Sequence, residues 1–389
     1  MDPFDDMRGG PGSGERLLLT PGPVHIDPSV WGALEPLNHR SDEFRKIMIE
    51  TSEMAARLAG AEAPAFLLTM SGTGAMESAI ANLTVPGSKV LCVSGGKFGT
   101  RWKEIADALG CEASLLLFGP GKRMDPDTVR ERVETVRPEF ITLTHVESST
   151  GLKLELEEVL SSLASPKPVV ILDAIASLGS EKLEMDEWGI DLVVGAGQKA
   201  LAAPPGVSLA IPGRRARELY RMGRRGLFYN SYIRCEAGAG EGDTPFTPAV
   251  QGIQILHRSL AGIHAGGAEK ARKRYHLFSK AVIDACRRLG LESLPEVPSA
   301  SVQALVLPEK ARGRGVIDRL SERNRLVITG GQGTLRNMII RTGFLALHDW
   351  TVMDRLVSGL ADALEEYGLD IDREGAVRIL REASRRHSD

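Results

Sequence analysis

The feature that most constrains this chain is an alternation of short apolar runs with helical patterns between residues 64 and 211. Residues 64–70, 89–93, 114–117, 140–145, 168–174, 192–194 and 207–211 are hydrophobic stretches of strand length. Between them lie helical patterns at 102–109, 126–136 and 154–164, and a helix opened by Ser71 that reaches about Leu83. Strands covered by helices on both faces read as near-continuous apolar runs, not as alternating ones. The expected fold class is therefore α/β, a mostly parallel sheet with helices on both faces. In such a sheet, ligands gather outside the carboxyl ends of the strands. Ser71, Phe98, Ser148, Asp173 and Lys199 all fall at or just after such ends.

Before this region, the run 16–20 stops at Pro21-Gly22-Pro23, and a helix at 43–58 is expected with Ser41 or Asp42 as its cap. From about Gly262 the texture changes. A long charged helix at 266–288 is followed by short strands at 302–307, 326–328 and 338–342, and by helices at 351–366 and 373–385. The expected organisation is a polar, Gly-rich flexible arm at 1–15, a large domain at 16–262 and a smaller α+β domain at 263–389. The arm lacks the apolar core of a signal peptide. No apolar run approaches the ~20 residues of a membrane span.

Composition excludes several function classes. With 48 basic and 51 acidic residues the net charge is −3, which offers no electrostatic attraction to nucleic acid or an anionic membrane. The 8 histidines show no ligand spacing, and the 4 cysteines lie far apart without a CxxC pair, so no metal site is expected. The cysteines read as reduced thiols, and a cytoplasmic location is expected.

Lys199 lies among glycine, alanine and proline, between two strand-like runs. A surface lysine does not need such neighbours; one that bonds covalently to a flat cofactor needs close backbone approach and a desolvated pocket. Asp173 closes an apolar run, and an acid there is expensive to bury without a partner. It suits the ring nitrogen of a pyridine-type cofactor, or equally a helix cap or salt bridge, with Ser177 an alternative cap. The turn at Ser71 to Ala75 points free N–H groups and a helix dipole at an anion. Phe98 is a candidate stacking ring or a core residue. Arg341, alone in an apolar strand, suits a substrate carboxylate or a structural ion pair. His145 and Glu147 read as loop polar residues rather than acid–base groups.

Five motifs occur in order: Thr20-Pro-Gly-Pro23, Ser71-Gly-Thr-Gly74, Glu147-Ser-Ser-Thr-Gly151, Asp173-Ala-Ile-Ala-Ser-Leu-Gly179 and Gly197-Gln-Lys-Ala-Leu-Ala-Ala-Pro-Pro-Gly206. Together they resemble the class V pyridoxal-phosphate aminotransferases, in the alanine–glyoxylate, serine–pyruvate and serine–glyoxylate branch. The likeness runs from about residue 16 to the C-terminus.

The resemblance implies fold-type I, with a seven-stranded large domain, a small C-terminal domain and a homodimer with sites at the interface. It implies pyridoxal 5′-phosphate as cofactor and a ping-pong transfer from alanine or serine to glyoxylate or pyruvate. Lys199 would bond the cofactor and carry the proton; Asp173 would pair with the ring nitrogen. Phe98 would stack on the ring, where relatives often have Trp or Tyr. Thr73, Gly74, Ala75 and Gln198 would hold the phosphate, and Ser148 would lie near the cofactor hydroxyl. Thr247 of the other subunit would reach the phosphate, with Thr244 as the alternative, because the loop lacks a tyrosine found in some relatives. Gly22 and Arg341 would meet the substrate. An aspartate or 2-aminoethylphosphonate donor would need a further basic group, for which Arg40 and Arg101 are candidates. A cysteine desulfurase or lyase of the same fold is disfavoured, because Gln198 and not histidine precedes Lys199, and Cys286 reads as a helix residue. A non-enzymatic scaffold would have been favoured by loss of Lys199 or Asp173.

Overall fold

A computed structural model describes residues 15–26, 28–222, 226–345 and 349–386. Apart from Glu15, the expected N-terminal arm lies outside the described residues.

The central sheet has seven strands. Their spatial order is Phe66–Leu68, Ser208–Pro212, Leu192–Ala196, Val169–Asp173, Phe140–Thr144, Lys89–Ser94 and Glu112–Leu117. Ser208–Pro212 runs antiparallel to both neighbours; the other pairs are parallel. Val90, Cys92, Phe140, Val169 and Ile171 enter one buried cluster, while Leu91, Val93, Ile141, Leu143, Val170 and Leu172 enter another. Alternate residues thus serve opposite faces, and both faces are covered. That is why the strands read as continuous apolar runs. Each such side chain, buried fully, contributes about 1.5–3 kcal/mol.

The chain runs from Lys89–Ser94 to the edge strand Glu112–Leu117, then crosses back to Phe140–Thr144 on the other side. This reversal opens a crevice beyond the carboxyl ends of Lys89–Ser94 and Phe140–Thr144. The helix Gly72–Leu83 is capped by Ser71, whose hydroxyl accepts from Gly74 N at 3.3 Å. Asp42–Leu58 is capped by Ser41, not Asp42. Lys97–Ala108 starts earlier than the expected 102, because its cap comes from a distant segment.

A second sheet is antiparallel, in the order Glu292–Ser293, Gln303–Val306, Ile339–Thr342 and Thr329–Gly330. Leu17–Leu18 pairs in parallel with Leu326–Val327, and Leu17 and Leu19 pack in one cluster with Phe278, Val282, Ile340 and Leu356. The opening strand was expected in the large domain; it is packed with the C-terminal elements instead. The expected helix 266–288 is Ala268–Arg288, and a further helix, Val250–Gly266, precedes it. Among the described residues no helix is long and apolar enough to cross a membrane.

Candidate active site

Lys199 follows the strand Leu192–Ala196 in a tight loop. Gly197 N donates to Val207 O at 2.9 Å, Ala203 N to Gly197 O at 2.8 Å, and Ala202 N to Lys199 O at 3.0 Å. Lys199 Nζ donates to Pro21 O at 2.5 Å. A Cβ on Gly22 would lie 2.7 Å from that nitrogen, and Gly22 has φ +123°, so position 22 admits only glycine without strain. Burial pushes the amine down to about 8; Asp173 opposes the shift and the charge of Arg341 adds to it. The amine therefore gives up its proton more readily than a solvated lysine does.

Asp173 ends the strand Val169–Asp173, in register with Thr144 on one side and Val194 on the other. Its Oδ1 accepts from Ile175 N at 2.8 Å. Burial pushes its carboxyl up to about 7. The Ile175 N–H opposes this, Glu147 adds to it, and Lys199 and Arg101 oppose it. Burial thus favours the neutral form of both groups while no partner is present, and a buried carboxyl of this kind is one that a cation bound beside it would hold ionised.

Arg341 sits on Ile339–Thr342 and is buried. Its Nε donates to Gly330 O at 3.0 Å and its Nη1 to Ser148 O at 2.7 Å. Among the described residues no carboxylate pairs with it, so the structural ion pair considered from sequence is not formed. Burial lowers its pKa, and Glu147 opposes that shift. Ser148, itself buried, thus touches Arg341 through its backbone.

At the N-terminus of Gly72–Leu83, Gly74 N is held by the Ser71 hydroxyl and Ala75 N by the Ser71 carbonyl. Thr73 Oγ1 accepts from Arg101 Nη1 at 2.9 Å. The Arg101 guanidinium also lies 4.7 Å from the centre of the Phe98 ring. Gln198 Oε1 is buried without a hydrogen-bond partner, as is Ser177 Oγ. Thr247 is exposed, whereas Thr244 Oγ1 donates to Phe246 O at 2.8 Å within its own loop. Arg40 is exposed.

His145 and Glu147, read from sequence as loop polar residues, are both buried. Burial pushes the His145 imidazole down to about 4; Glu181 opposes this and Lys153 adds to it, so the ring is neutral. Glu147 accepts from Phe98 N and Gly99 N at 2.9 Å each, from Ser149 N at 3.1 Å and from Ser149 Oγ at 2.5 Å. It is the remote cap of the helix Lys97–Ala108. No local sequence signal marks the capping role, since cap and helix are about 50 residues apart, although Glu147 opens one of the five ordered motifs. Cys286 is fully buried in its helix and its thiol is pushed up to about 12 by burial, which is unsuited to a mobile nucleophile. Among the described residues no cluster of His, Cys, Asp or Glu could hold a metal ion.

Residues 33–335 match the family model of the class-V aminotransferases. The chain belongs to that family. This class-V aminotransferase is 30% identical over 359 residues to the soluble hydrogenase small subunit of Synechococcus, covering 90% of this chain and 92% of the relative. It is also 30% identical over 366 residues to alanine–glyoxylate aminotransferase of Rattus norvegicus, covering 90% and 88%. The solved structure of alanine–glyoxylate aminotransferase from Nostoc superposes with a TM-score of 0.86 at 27% identity, covering 92% of this chain and 97% of that one. The architecture is fold-type I of the pyridoxal-phosphate-dependent transferases, as the ordered motifs implied.

Proposed function

We propose that this aminotransferase uses pyridoxal 5′-phosphate to move an amino group from a small amino acid, alanine or serine, to glyoxylate or pyruvate, in two half-reactions that share one site. The observation that carries the reading is that Asp173 and Lys199 lie at and just beyond the ends of two paired strands, near enough for each charge to act on the other, with burial pushing the amine down and the carboxyl up.

The residues present fit the cofactor. Asp173 has one oxygen bonded to Ile175 N and is short of a cationic partner, which a protonated ring nitrogen supplies. Gln198 Oε1 and Ser177 Oγ are buried polar atoms in need of partners. Thr73 and Gln198 would hold the phosphate beside the helix that Ser71 caps, with Gly74 and Ala75 at its first turn. Phe98 would cover one ring face, and Ser148 would lie by the ring hydroxyl. When bound, the cofactor supplies a protonated pyridine ring that draws electron density away from the substrate Cα.

The remaining work belongs to side chains of this chain. Lys199 Nζ, its pKa lowered by burial, would take the proton from the substrate Cα and deliver it to C4′ of the cofactor. Arg341 Nε and Nη1 are anchored on two carbonyls, so the guanidinium is held rigidly to receive the substrate carboxylate. The Gly22 backbone closes the site against Lys199. Arg101 is engaged by Thr73 and Phe98 and Arg40 is exposed, which favours a donor with a small uncharged side chain over aspartate or 2-aminoethylphosphonate. Thr247 is the free hydroxyl of its loop, which supports its reaching a partner subunit's phosphate in a homodimer. Exposed Phe228 and Tyr229, packed on Phe246, offer an apolar surface for that contact.

The test is a panel of alanine, serine, aspartate and 2-aminoethylphosphonate as donors against glyoxylate, pyruvate and 2-oxoglutarate. Highest kcat/KM with alanine or serine and glyoxylate or pyruvate, with parallel double-reciprocal lines, is the expected result. Highest kcat/KM with aspartate or the phosphonate would sink the substrate assignment.

A further inference from the structure

Glu147 is more than a helix cap. Its residue is 0% exposed, and no lysine, arginine or histidine forms an ion pair with it among the described residues. Its charge is held by four dipolar donors instead. Capping alone does not require this. A serine or asparagine serves as well, without the cost of burying a charge.

Two sets of contacts show what the carboxylate joins. Oε2 takes the N–H groups of Phe98 and Gly99, at the start of the helix after Lys89–Ser94. Oε1 takes Ser149, whose neighbour Ser148 carries the carbonyl that holds Arg341 Nη1. One side chain therefore ties together the two lips of the crevice, the ring wall and the carboxylate clamp. The packing leaves no slack, since a Cβ on Gly96 would lie 2.8 Å from Glu147 Cγ and 2.4 Å from Ser149 Oγ. The charge also reaches the chemistry: it favours the protonated form of Asp173 and the charged form of Arg341.

We infer that Glu147 is a positioning residue of the aminotransferase site, its carboxylate fixing Phe98 and the Ser148–Arg341 contact in one frame while its negative charge favours protonation of the bound cofactor. This rests on the cofactor reading proposed above. Glutamine at 147 is isosteric but tests it in two ways. Its oxygen can accept from Phe98 N and Gly99 N, but its NH2 then faces the N–H of Ser149 and that bond is lost. The charge is lost as well. Aspartate keeps the charge and shortens the reach by one methylene.

The experiment compares wild type, E147Q and E147D, each loaded with pyridoxal phosphate, by pH titration of the visible absorbance and by steady-state kinetics with alanine and glyoxylate. With E147Q the titration midpoint is expected about one unit lower, because a nearby negative charge that favoured protonation is gone. KM for alanine is expected to rise about tenfold through the slackened Arg341. With E147D the midpoint is expected to stay at the wild-type value while KM rises. An E147Q enzyme with wild-type midpoint and KM overturns the inference, and so does an equal midpoint shift in both variants. If E147Q does not fold, E147D decides: a wild-type KM there overturns the positioning role. A wild-type protein that shows no visible band with pyridoxal phosphate fails the cofactor reading itself, and is told apart because the variants play no part in it.

Discussion

Replacing Gly22 with alanine places a methyl group 2.6 Å from Lys199 Cδ, 2.7 Å from Nζ and 2.8 Å from Cε. Carbon atoms rest at about 3.5–4.0 Å, so the lysine must withdraw by ~1 Å. The backbone at φ +123° adds strain of about 1–3 kcal/mol. These effects fall on different quantities. Strain lowers stability, whereas a ~1 Å displacement of a reacting amine costs on the order of 100-fold in rate. Gly87→Ala separates them, because Gly87 has φ +86° but nothing within 4 Å of an added Cβ. Urea unfolding of both variants is expected to show a loss of about 1–3 kcal/mol. Only G22A is expected to lose on the order of 100-fold in kcat/KM with alanine and glyoxylate. A G22A enzyme that turns over at the wild-type rate would refute the claim that Gly22 makes room for the reacting lysine. Equal activity losses in both variants would refute it too.

Three further outcomes are expected. In the cofactor-free chain the Asp173 carboxyl is raised to about 7 from 3.8, so the folded state binds a proton that the unfolded state has released. Stability should therefore fall as pH rises from about 4 to about 7, by a few kcal/mol, and D173N should abolish that fall and be the more stable protein at alkaline pH; chemical denaturation across pH reads this, and parallel curves for the two proteins would contradict it. R341K keeps the charge but loses the fork held by Gly330 O and Ser148 O, so KM for alanine should rise at least tenfold, by roughly 1.5–3 kcal/mol, with kcat less affected; an unchanged KM would exclude Arg341 as the carboxylate anchor. Glu181, buried and bonded to Ala300 N at 2.7 Å with His276 Nε2 3.0 Å away, joins the large sheet's loops to the long helix; E181A should cost about 3–5 kcal/mol in unfolding free energy without moving the visible band of the bound cofactor.

Particular residues show how far the sequence could be read. The strand ends that carry Asp173 and Lys199 were legible, because strands buried on both faces leave long apolar runs and a polar residue that closes one stands out. Arg341 stood out for the same reason, but its anchors, Gly330 O and Ser148 O, are backbone atoms and leave no trace in side-chain pattern. The start of Lys97–Ala108 was not legible because its cap, Glu147, lies in another crossover. The helix Val250–Gly266 was obscured by polar residues at buried positions: Gln254 is buried because its amide bonds both Glu35 N and Glu35 O, a contact no local pattern predicts. Leu17–Leu18 joined the C-terminal elements for a similar reason, since pairing with Leu326–Val327 is a property of the folded chain and not of either run alone.

Lys199 is proposed here as the amine that holds the cofactor. The direct measurement is to add pyridoxal phosphate to the purified protein, reduce with borohydride, digest, and locate the modified residue by mass spectrometry. A single label on Lys199 is expected, and none on K199A, together with loss of the visible band. A label on another lysine, or a K199A protein that keeps both the band and the label, would contradict it.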